Sequence, residues 1–296
     1  MKNTLKRAGL ILGTLAGLFL LAVIILSIIG SNKLNKQYNI QPESVAVGSD
    51  TAVLQRGQYL YSISCAGCHG DNLAGTPFFD DPGLGSIPAS NLTTGTGGIG
   101  AVYSETDLVR AIRHGIDNEG KPLMIMPAGA FWYYSDEDLA AIIAYLKNAV
   151  PIDNDLGEKN LKLMGRILVG AGLLDVLAAE HIDHAASRPA APPPQVDAAY
   201  GQYLVNVSDC RSCHGAALSG GQSSEPGAPP GPDLTPGGNL ADWPTVDFIT
   251  AMRTGTTLDG RQLSPEFMPW EDYGRMTDDD LTTIFLYLQS LPANGK

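Results

Sequence analysis

Positive charge is scarce in this sequence, which has 19 Lys and Arg residues against 31 Asp and Glu and a formal net charge of −12. Such an acidic chain would repel phosphate, so we exclude nucleic acid as a natural partner. The few basic residues are unevenly placed: residues 1–49 are net positive, whereas segments 50–150 and 195–296 are net negative. An acidic body favours docking to a basic protein surface, and solubility alone is the alternative explanation of the charge.

Charge is absent altogether from residues 9–30, an apolar run that follows Lys2, Lys6 and Arg7. About 20 apolar residues suffice for a helix to cross a membrane. A cleaved signal peptide is the alternative, but its apolar part usually spans about 7–15 residues and precedes a small-residue cleavage site. We therefore expect segment 1–36 to be a membrane anchor with a helix at about 9–30. The positive flank stays inside, so the remainder should lie on the outer, periplasmic side of the cytoplasmic membrane.

An internal repeat divides the rest of the chain into two copies of one unit. The tetrapeptide Gly-Gln-Tyr-Leu at 57–60 recurs at 201–204, and matching Arg-x-Gly, Met-Pro and Tyr-Leu pairs follow in the same order. Units of this length are too long for a solenoid, whose repeats are about 20–50 residues. We expect a first domain at 50–150, a connector at 151–196 and a second domain at 197–296.

Both units show helical patterning. A middle helix is predicted near 104–114 and 245–254, and a closing helix follows Ser135 and Thr277, which are favoured N-cap residues with acidic residues behind them. No alternating strand pattern competes, so we predict an all-α fold: one N-terminal transmembrane helix and two tandem domains. The connector should hold an apolar helix, packed on a domain or resting on the membrane, and then a Pro-rich spacer.

Cysteine is as rare as positive charge, since the chain has four. All four lie in two copies of C-x-x-C-H, formed by Cys65, Cys68 and His69, and by Cys210, Cys213 and His214. This is the pattern of covalent haem c attachment, in which each thiol joins a haem vinyl group and the histidine binds the iron. We therefore predict two covalently bound haem c groups, with His69 and His214 as axial ligands.

Three other roles for the cysteines fit less well. Structural zinc needs four ligands, and the two pairs lie in separate units. A thioredoxin-like redox pair needs a strand–helix setting, which the sequence does not show. Neighbouring cysteines three apart on a helix also pair poorly with each other.

Methionine is the expected sixth ligand, since it raises the potential of a haem iron. Met126 and Met268 each precede proline and each lie 19 residues before the repeated tyrosine. Any single methionine is more often a core residue, but the repeat favours these two. Met124 has no counterpart in the second unit.

Other residues carry weaker expectations. Arg113 and Arg253 occupy the same place in both units and could contact a haem propionate, although a structural or solvated arginine is an equal alternative. His114 matches Thr254 and is expected at the surface. His181 and His184 are expected to be ordinary connector residues rather than metal ligands.

Both units resemble class I-type cytochrome c domains, with C-x-x-C-H near the start, a Met-Pro loop and a closing helix. More specifically, the segments 91–94, 98–100 and 103–115 and the pair Met126-Pro127 resemble cytochrome subunits of bacterial membrane-bound alcohol and sugar-acid dehydrogenases. The resemblance covers roughly 52–293. Those subunits usually carry three haems and an anchor near the C-terminus, whereas this chain has two motifs and an N-terminal apolar run.

These features predict an electron carrier rather than an enzyme: a membrane-anchored dihaem cytochrome that passes electrons between redox partners outside the cytoplasmic membrane. The alternative is a haem-bearing subunit of a larger dehydrogenase or oxidase complex. A dihaem peroxidase is a third hypothesis, but it needs an iron with an open sixth site, and two matched Met-Pro loops argue against that.

Overall fold

The computed structural model describes residues 2–223 and 227–293. An N-terminal helix is followed by two similar helical units and a connector that packs on the first unit. The helices are α1 (Lys2–Leu34), α2 (Thr51–Ser64), α3 (Ala66–His69), α4 (Glu105–His114), α5 (Ala128–Phe131), α6 (Asp136–Lys147), α7 (Leu163–Ala171), α8 (Ala198–Val207), α9 (Cys210–His214), α10 (Thr245–Thr254), α11 (Trp270–Tyr273) and α12 (Asp278–Ser290).

Helix α1 is longer than the predicted span of about 9–30. Its segment Asn3–Leu34 is apolar enough to cross a membrane, and its apolar side chains are exposed along most of its length. At about 1.5 Å per residue, this segment is long enough to cross the hydrocarbon core and extend beyond it.

In each unit, the first helix crosses the closing helix at a glycine. A Cβ at Gly57 would overlap the carbonyl oxygen of Ala141, and one at Gly201 would overlap that of Thr283. Only glycine lets the two backbones come this close. The repeated Gly-Gln-Tyr-Leu is thereby explained in part, since it supplies the crossing point of α2 on α6 and of α8 on α12.

The predicted middle and closing helices are confirmed, with their caps. The Ser135 hydroxyl accepts a hydrogen bond from the Asp138 amide at 3.0 Å, and the Thr277 hydroxyl accepts one from the Asp280 amide at 3.1 Å. Helices α4 and α10 end at Gly115 and Gly255, both in the left-handed conformation. A left-handed glycine is a common helix stop.

The fold is mainly helical, but the all-α prediction missed short strands. Strands β1 (Thr76–Asp81), β2 (Gly85–Ala89) and β3 (Asn160–Leu161) form an antiparallel sheet, and β4 (Ser219–Gly221) pairs with β5 (Gly231–Asp233). Most of this structure lies in the glycine- and proline-rich loops after the C-x-x-C-H motifs. Strand β3 comes from the connector, so it ties the connector to the first unit.

The connector forms a second apolar cluster beside the main core. Its buried members are Ile87, Leu161, Val169 and Leu177. Helix α7 is shorter than the apolar segment that predicted it, because Gly172 adopts a left-handed conformation and ends it. Helix α7 also packs against the end of α1, and the Lys33 ammonium pairs with Glu180 at 2.8 Å.

The two units share one continuous core and contact each other through polar groups at the helix ends. Arg56 donates to both oxygens of Asp138, at 2.8 and 2.7 Å, and also to the Tyr200 hydroxyl of the second unit at 2.9 Å. Arg275 of the second unit pairs with Asp71 of the first. The two units therefore pack into one body and are not separate domains joined by a linker.

Candidate haem sites

The two C-x-x-C-H motifs fold alike. In the first unit α2 ends at Ser64, Cys65 is its C-cap, and a single helical turn carries Ala66–His69. In the second unit, α9 covers Cys210–His214. Gly70 and Gly215 then follow with φ of 76° and 78°, which only glycine adopts at little cost. Each motif thus sits on a short turn held between a long helix and a sharp bend.

Three of the four cysteine thiols have the character of protonated, buried groups. Burial raises the pKa of Cys65 and of Cys210 to about 12, and that of Cys68 to about 11. All four cysteines are free of disulfides. Reactive redox cysteines instead have a lowered pKa, so these thiols do not resemble a thioredoxin-type pair.

Zinc is also disfavoured by the structure. Across residues 2–223 and 227–293, no three His, Cys, Asp or Glu side chains are grouped so that they could hold a metal ion. A structural zinc site needs four such ligands.

Each motif histidine is held in place by one hydrogen bond to a backbone carbonyl. The Nδ1 of His69 lies 2.8 Å from the carbonyl oxygen of Ser90, and that of His214 lies 2.9 Å from the carbonyl oxygen of Pro232. Burial lowers the pKa of each imidazole, so the neutral form is favoured. A neutral ring that donates from Nδ1 keeps its lone pair on Nε2, the atom that an iron would bind.

The Met-Pro loops also match in detail. After each left-handed glycine the chain makes a tight turn, and the amides of Leu123 and Leu263 return to the carbonyls of Gly115 and Gly255 at 2.7 Å. From this leucine to the methionine, the loop of the second unit is two residues longer than that of the first. In both units the methionine carbonyl accepts a hydrogen bond from the amide two residues later, at 2.8 Å for Met126 and 2.6 Å for Met268.

Met124 and Met126 pack in different places. Met126 is half-buried against the main core, which also contacts Cys65. Met124 instead packs against the connector cluster around Leu161 and Val169. The neighbouring Ile125 turns the chain between them, with a φ of 66° and its amide bonded to the Val176 carbonyl at 2.7 Å.

Arg113 and Arg253 have a shared structural role. Each donates to the first acidic residue of the closing helix, Arg113 to Asp136 at 2.6 Å and Arg253 to Asp278 at 2.7 Å. Arg113 is fully buried and also donates to the Tyr134 carbonyl at 2.9 Å, whereas Arg253 is exposed. Each arginine therefore clamps the middle helix to the closing helix.

Buried donors without partners remain in both units. The Nε and Nη1 of Arg113 and the indole Nε1 of Trp270 are buried with no hydrogen-bond partner among the described residues. Leaving such a group unpaired costs about 1–3 kcal/mol or more. Acceptors such as haem propionates would satisfy them. These donors and the fixed histidines together fit a haem in each unit.

A buried leucine in a strained conformation follows each motif, and sequence reasoning missed it. Leu73 and Leu218 have φ of 64° and 59°, which is uncommon for a branched residue. Each leucine amide donates to the glycine carbonyl after the histidine, and each carbonyl accepts from Leu92 or Leu234. The sequence signal that could have identified these leucines is that they recur at an offset of 145, the same offset as the two C-x-x-C-H motifs.

The expectation that His114 lies at the surface was wrong. His114 is 4% exposed, and its Nδ1 lies 3.0 Å from Nδ1 of His184. The ring of Tyr38 packs edge-on against His184 at 5.6 Å. The connector covers this side of the first unit, so His184 is a packing residue rather than part of a free linker.

The model of the cytochrome c family, described as "Cytochrome c", matches residues 54–149 and 198–292. The chain belongs to the cytochrome c family. The predicted resemblance to cytochrome c domains is therefore confirmed, and membership of this family implies covalently bound haem c and electron transfer. Each of the two matched regions of this cytochrome contains one C-x-x-C-H motif.

Several curated relatives are similar to this cytochrome over most of its length. The chain is 27% identical over 272 residues to the alcohol dehydrogenase (quinone) cytochrome c subunit of Gluconacetobacter polyoxogenes, covering 82% of this chain and 57% of the relative. It is 28% identical over 281 residues to the gluconate 2-dehydrogenase cytochrome c subunit of Pantoea cypripedii, covering 83% and 61%. The chain thus spans less than two thirds of the length of these relatives.

Proposed function

We propose that this protein is a membrane-anchored dihaem cytochrome c that transfers electrons between redox partners on the periplasmic side of the cytoplasmic membrane. Cys65 and Cys68 hold one haem and Cys210 and Cys213 hold the other. The iron ligands are His69 and Met126 in the first unit, and His214 and Met268 in the second. The bound haem supplies a one-electron Fe(III)/Fe(II) couple.

The observation that carries the proposal is the matched histidine geometry. In each motif a backbone carbonyl fixes Nδ1, at 2.8 Å from Ser90 and 2.9 Å from Pro232, so both rings offer Nε2 in a set orientation. Burial lowers the pKa of both rings, so no proton competes for that nitrogen near neutral pH. Because the two sites have the same geometry, they support two haems that both act in electron transfer.

The remaining residues tune and protect the sites. Methionine sulfur is a soft ligand that favours reduced iron, so both haems would have raised potentials. Arg113 offers two nitrogens without partners, Nε and Nη1, to a propionate while Nη2 donates to Asp136. Arg253 is more exposed and would act mainly as a clamp between helices.

Haem content and topology test the proposal. Intact mass and pyridine haemochrome analysis of the purified protein should give two covalent haems per chain, and one or none would contradict the count. Protease added to intact spheroplasts should digest both units, because Lys2, Lys6 and Arg7 hold the N-terminus inside. Digestion only after the membrane is opened would reverse the orientation.

A place in a membrane-bound dehydrogenase complex is the second candidate. It is supported by the relatives, which are named as cytochrome c subunits of alcohol and gluconate dehydrogenases. Purification in mild detergent should then yield a stable complex with a dehydrogenase. A monodisperse cytochrome that exchanges electrons only in collisions would favour the free carrier instead. An oxidase partner in the complex would support the respiratory alternative.

A further inference from the structure

Helix α7 is held against the membrane helix at an unusually short distance. A Cβ at Gly170 would overlap the carbonyl oxygen of Leu26, and a Cβ at Gly30 would overlap that of Arg166. Two small residues facing each other let the backbones touch, as they do where helices pack inside membranes. The position of α7 along α1 is therefore fixed by this contact.

The contact lies inside the apolar part of α1. The uncharged run ends at Gly30, and Leu26 is four residues earlier, about 6 Å deeper at the usual rise per residue. Interfacial helices bury their apolar face about 5–10 Å into the boundary between headgroups and acyl chains. If α1 spans the membrane, α7 must reach that depth.

The side chains of α7 divide among three directions. Gly165 and Val169 are buried toward the first unit, and the backbone at Arg166 and Gly170 touches α1. The outward side chains are apolar: Leu163 and Met164 are each 52% exposed, and Leu173 just beyond the helix is 74% exposed. Water is a poor solvent for such a group, whereas the acyl-chain boundary suits it.

Charges beside α7 match a lipid surface. Lys159 and Lys162 precede the helix and are exposed. Lys159 pairs with Asp117 at 3.7 Å, and the exposed Asp175 just beyond the helix pairs with His181 at 2.9 Å. Lys33, three residues beyond the apolar run, pairs with Glu180 of the connector at 2.8 Å. Arg166 of α7 faces Gly30 and Gly170 faces Leu26, so α7 runs antiparallel along α1, with its lysine-flanked start toward the headgroups and its C-terminal end deeper.

We infer that α7 is a second membrane contact, dipping beside α1 into the lipid interface of the bilayer that α1 crosses, on the side of the haem units. This inference rests on the proposed anchor. The partner is the lipid layer itself, and Leu163, Met164 and Leu173 enter it. Helix α7 then holds the first unit at a set height and tilt above the membrane.

Photolabelling of the holoprotein in lipid tests the inference. The full-length cytochrome is placed in phosphatidylcholine–phosphatidylglycerol vesicles that contain a lipid with a diazirine near the top of its acyl chain, and adducts are mapped by mass spectrometry. We expect adducts on α1 and on residues 163–173. Val246 and Leu258 of the second unit are matched controls, at 64% and 55% exposure, and should carry about tenfold fewer.

Two variants sharpen the test. Gly170→Leu should push α7 away from α1 and lower its adducts several-fold, whereas Ala171→Leu places the same side chain on the exposed side of the helix and should not. An unchanged haem spectrum shows that each variant folds. Adducts on α1 with none on 163–173 would overturn this inference and leave the anchor standing. Absence of adducts on α1 itself would reject the anchor.

Discussion

The hydroxyl of Tyr203 donates a hydrogen bond to the carboxylate of Asp138 at 2.6 Å, across the boundary between the two units. The same hydroxyl accepts from the Ser135 amide at 3.3 Å, so it closes the free end of helix α6. The second unit returns the contact, since Tyr59 donates to Asp280 and accepts from the Thr277 amide at 3.2 Å. Each unit thus caps the closing helix of the other.

Removing the Tyr203 hydroxyl should destabilise the interface. Burial and the nearby Asp138 raise the pKa of Tyr203, so the hydroxyl stays protonated and keeps donating. Tyr203→Phe leaves Asp138 without this donor and should lower the free energy of unfolding by about 1–3 kcal/mol. Urea denaturation of the holoprotein measures it. The matched control is Tyr145→Phe, whose ring packs on Tyr61 of its own unit, and equal losses in both would contradict the interface role.

The two cysteine pairs should act independently. Replacing Cys65 and Cys68 by serine should remove one haem, with a mass decrease of one haem group, and leave the second unit loaded. The reciprocal change at Cys210 and Cys213 should do the opposite. Intact mass spectrometry reads both results. A chain that keeps two haems after either change would contradict covalent attachment at these motifs.

Met126 should close the sixth site of the first iron. Met126→Ala removes a soft ligand, so one haem should fall in potential and bind carbon monoxide in the reduced state, while the other changes little. Met124→Ala is the control, since Met124 packs in the connector cluster rather than the main core. Redox titration and carbon monoxide difference spectra distinguish them. If Met124→Ala opens the iron instead, the assignment from the repeat is wrong.

Electron transfer to a soluble partner should slow as salt rises. The acidic units would attract a basic docking surface, and at 0.15 M ionic strength such attraction is screened beyond about 8 Å. The second-order rate with a basic electron acceptor should therefore fall several-fold between low and physiological salt. Stopped-flow measurements over that range test this. A constant rate would favour solubility as the reason for the charge, or a permanent complex.

The contact between His114 and His184 should weaken in mild acid. Burial lowers the pKa of His114 to about 4, with His184 and Arg113 adding to the effect and Glu43 opposing it, and burial lowers the pKa of His184 as well. Between about pH 6.5 and 4 the unfolded chain binds more protons than the folded chain, so stability falls as pH falls. Between pH 7.5 and pH 5 the loss from His114 alone should be about 2 kcal/mol.

Urea titrations at pH 7.5 and pH 5 measure this effect. His114→Gln should reduce the difference between the two values of pH. His181→Gln is the control, because His181 is an exposed residue of the same connector. A pH dependence that His114→Gln leaves intact would assign it to other groups.

Features encoded in short segments could be predicted from the sequence. The apolar run, the two C-x-x-C-H motifs and the Ser135 and Thr277 caps each depend on neighbouring residues alone. Strands β1 and β2 were missed because glycine and proline interrupt any alternation in 76–89. Strand β3 pairs with β2 over a separation that no local pattern reports.

Contacts between distant segments account for the other misses. His114 has no counterpart in the second unit, which suggested a surface position, but the connector covers it. The sequence showed Tyr59 and Tyr203 only as a repeated residue type, and their role depends on how the two units pack against each other. Arg113 and Arg253 were matched by the repeat, while their carboxylate partners required the packing of α4 on α6 and of α10 on α12.

The exchange of tyrosines has an evolutionary meaning. Contacts in which each half offers the same groups to the other are those of a symmetric homodimer, so one gene for a single unit would suffice to build this interface. Joining two copies by a connector makes the association intramolecular and independent of concentration. It also frees the copies to diverge, and the residues peculiar to the first, Met124 and His114, are the ones that meet the connector.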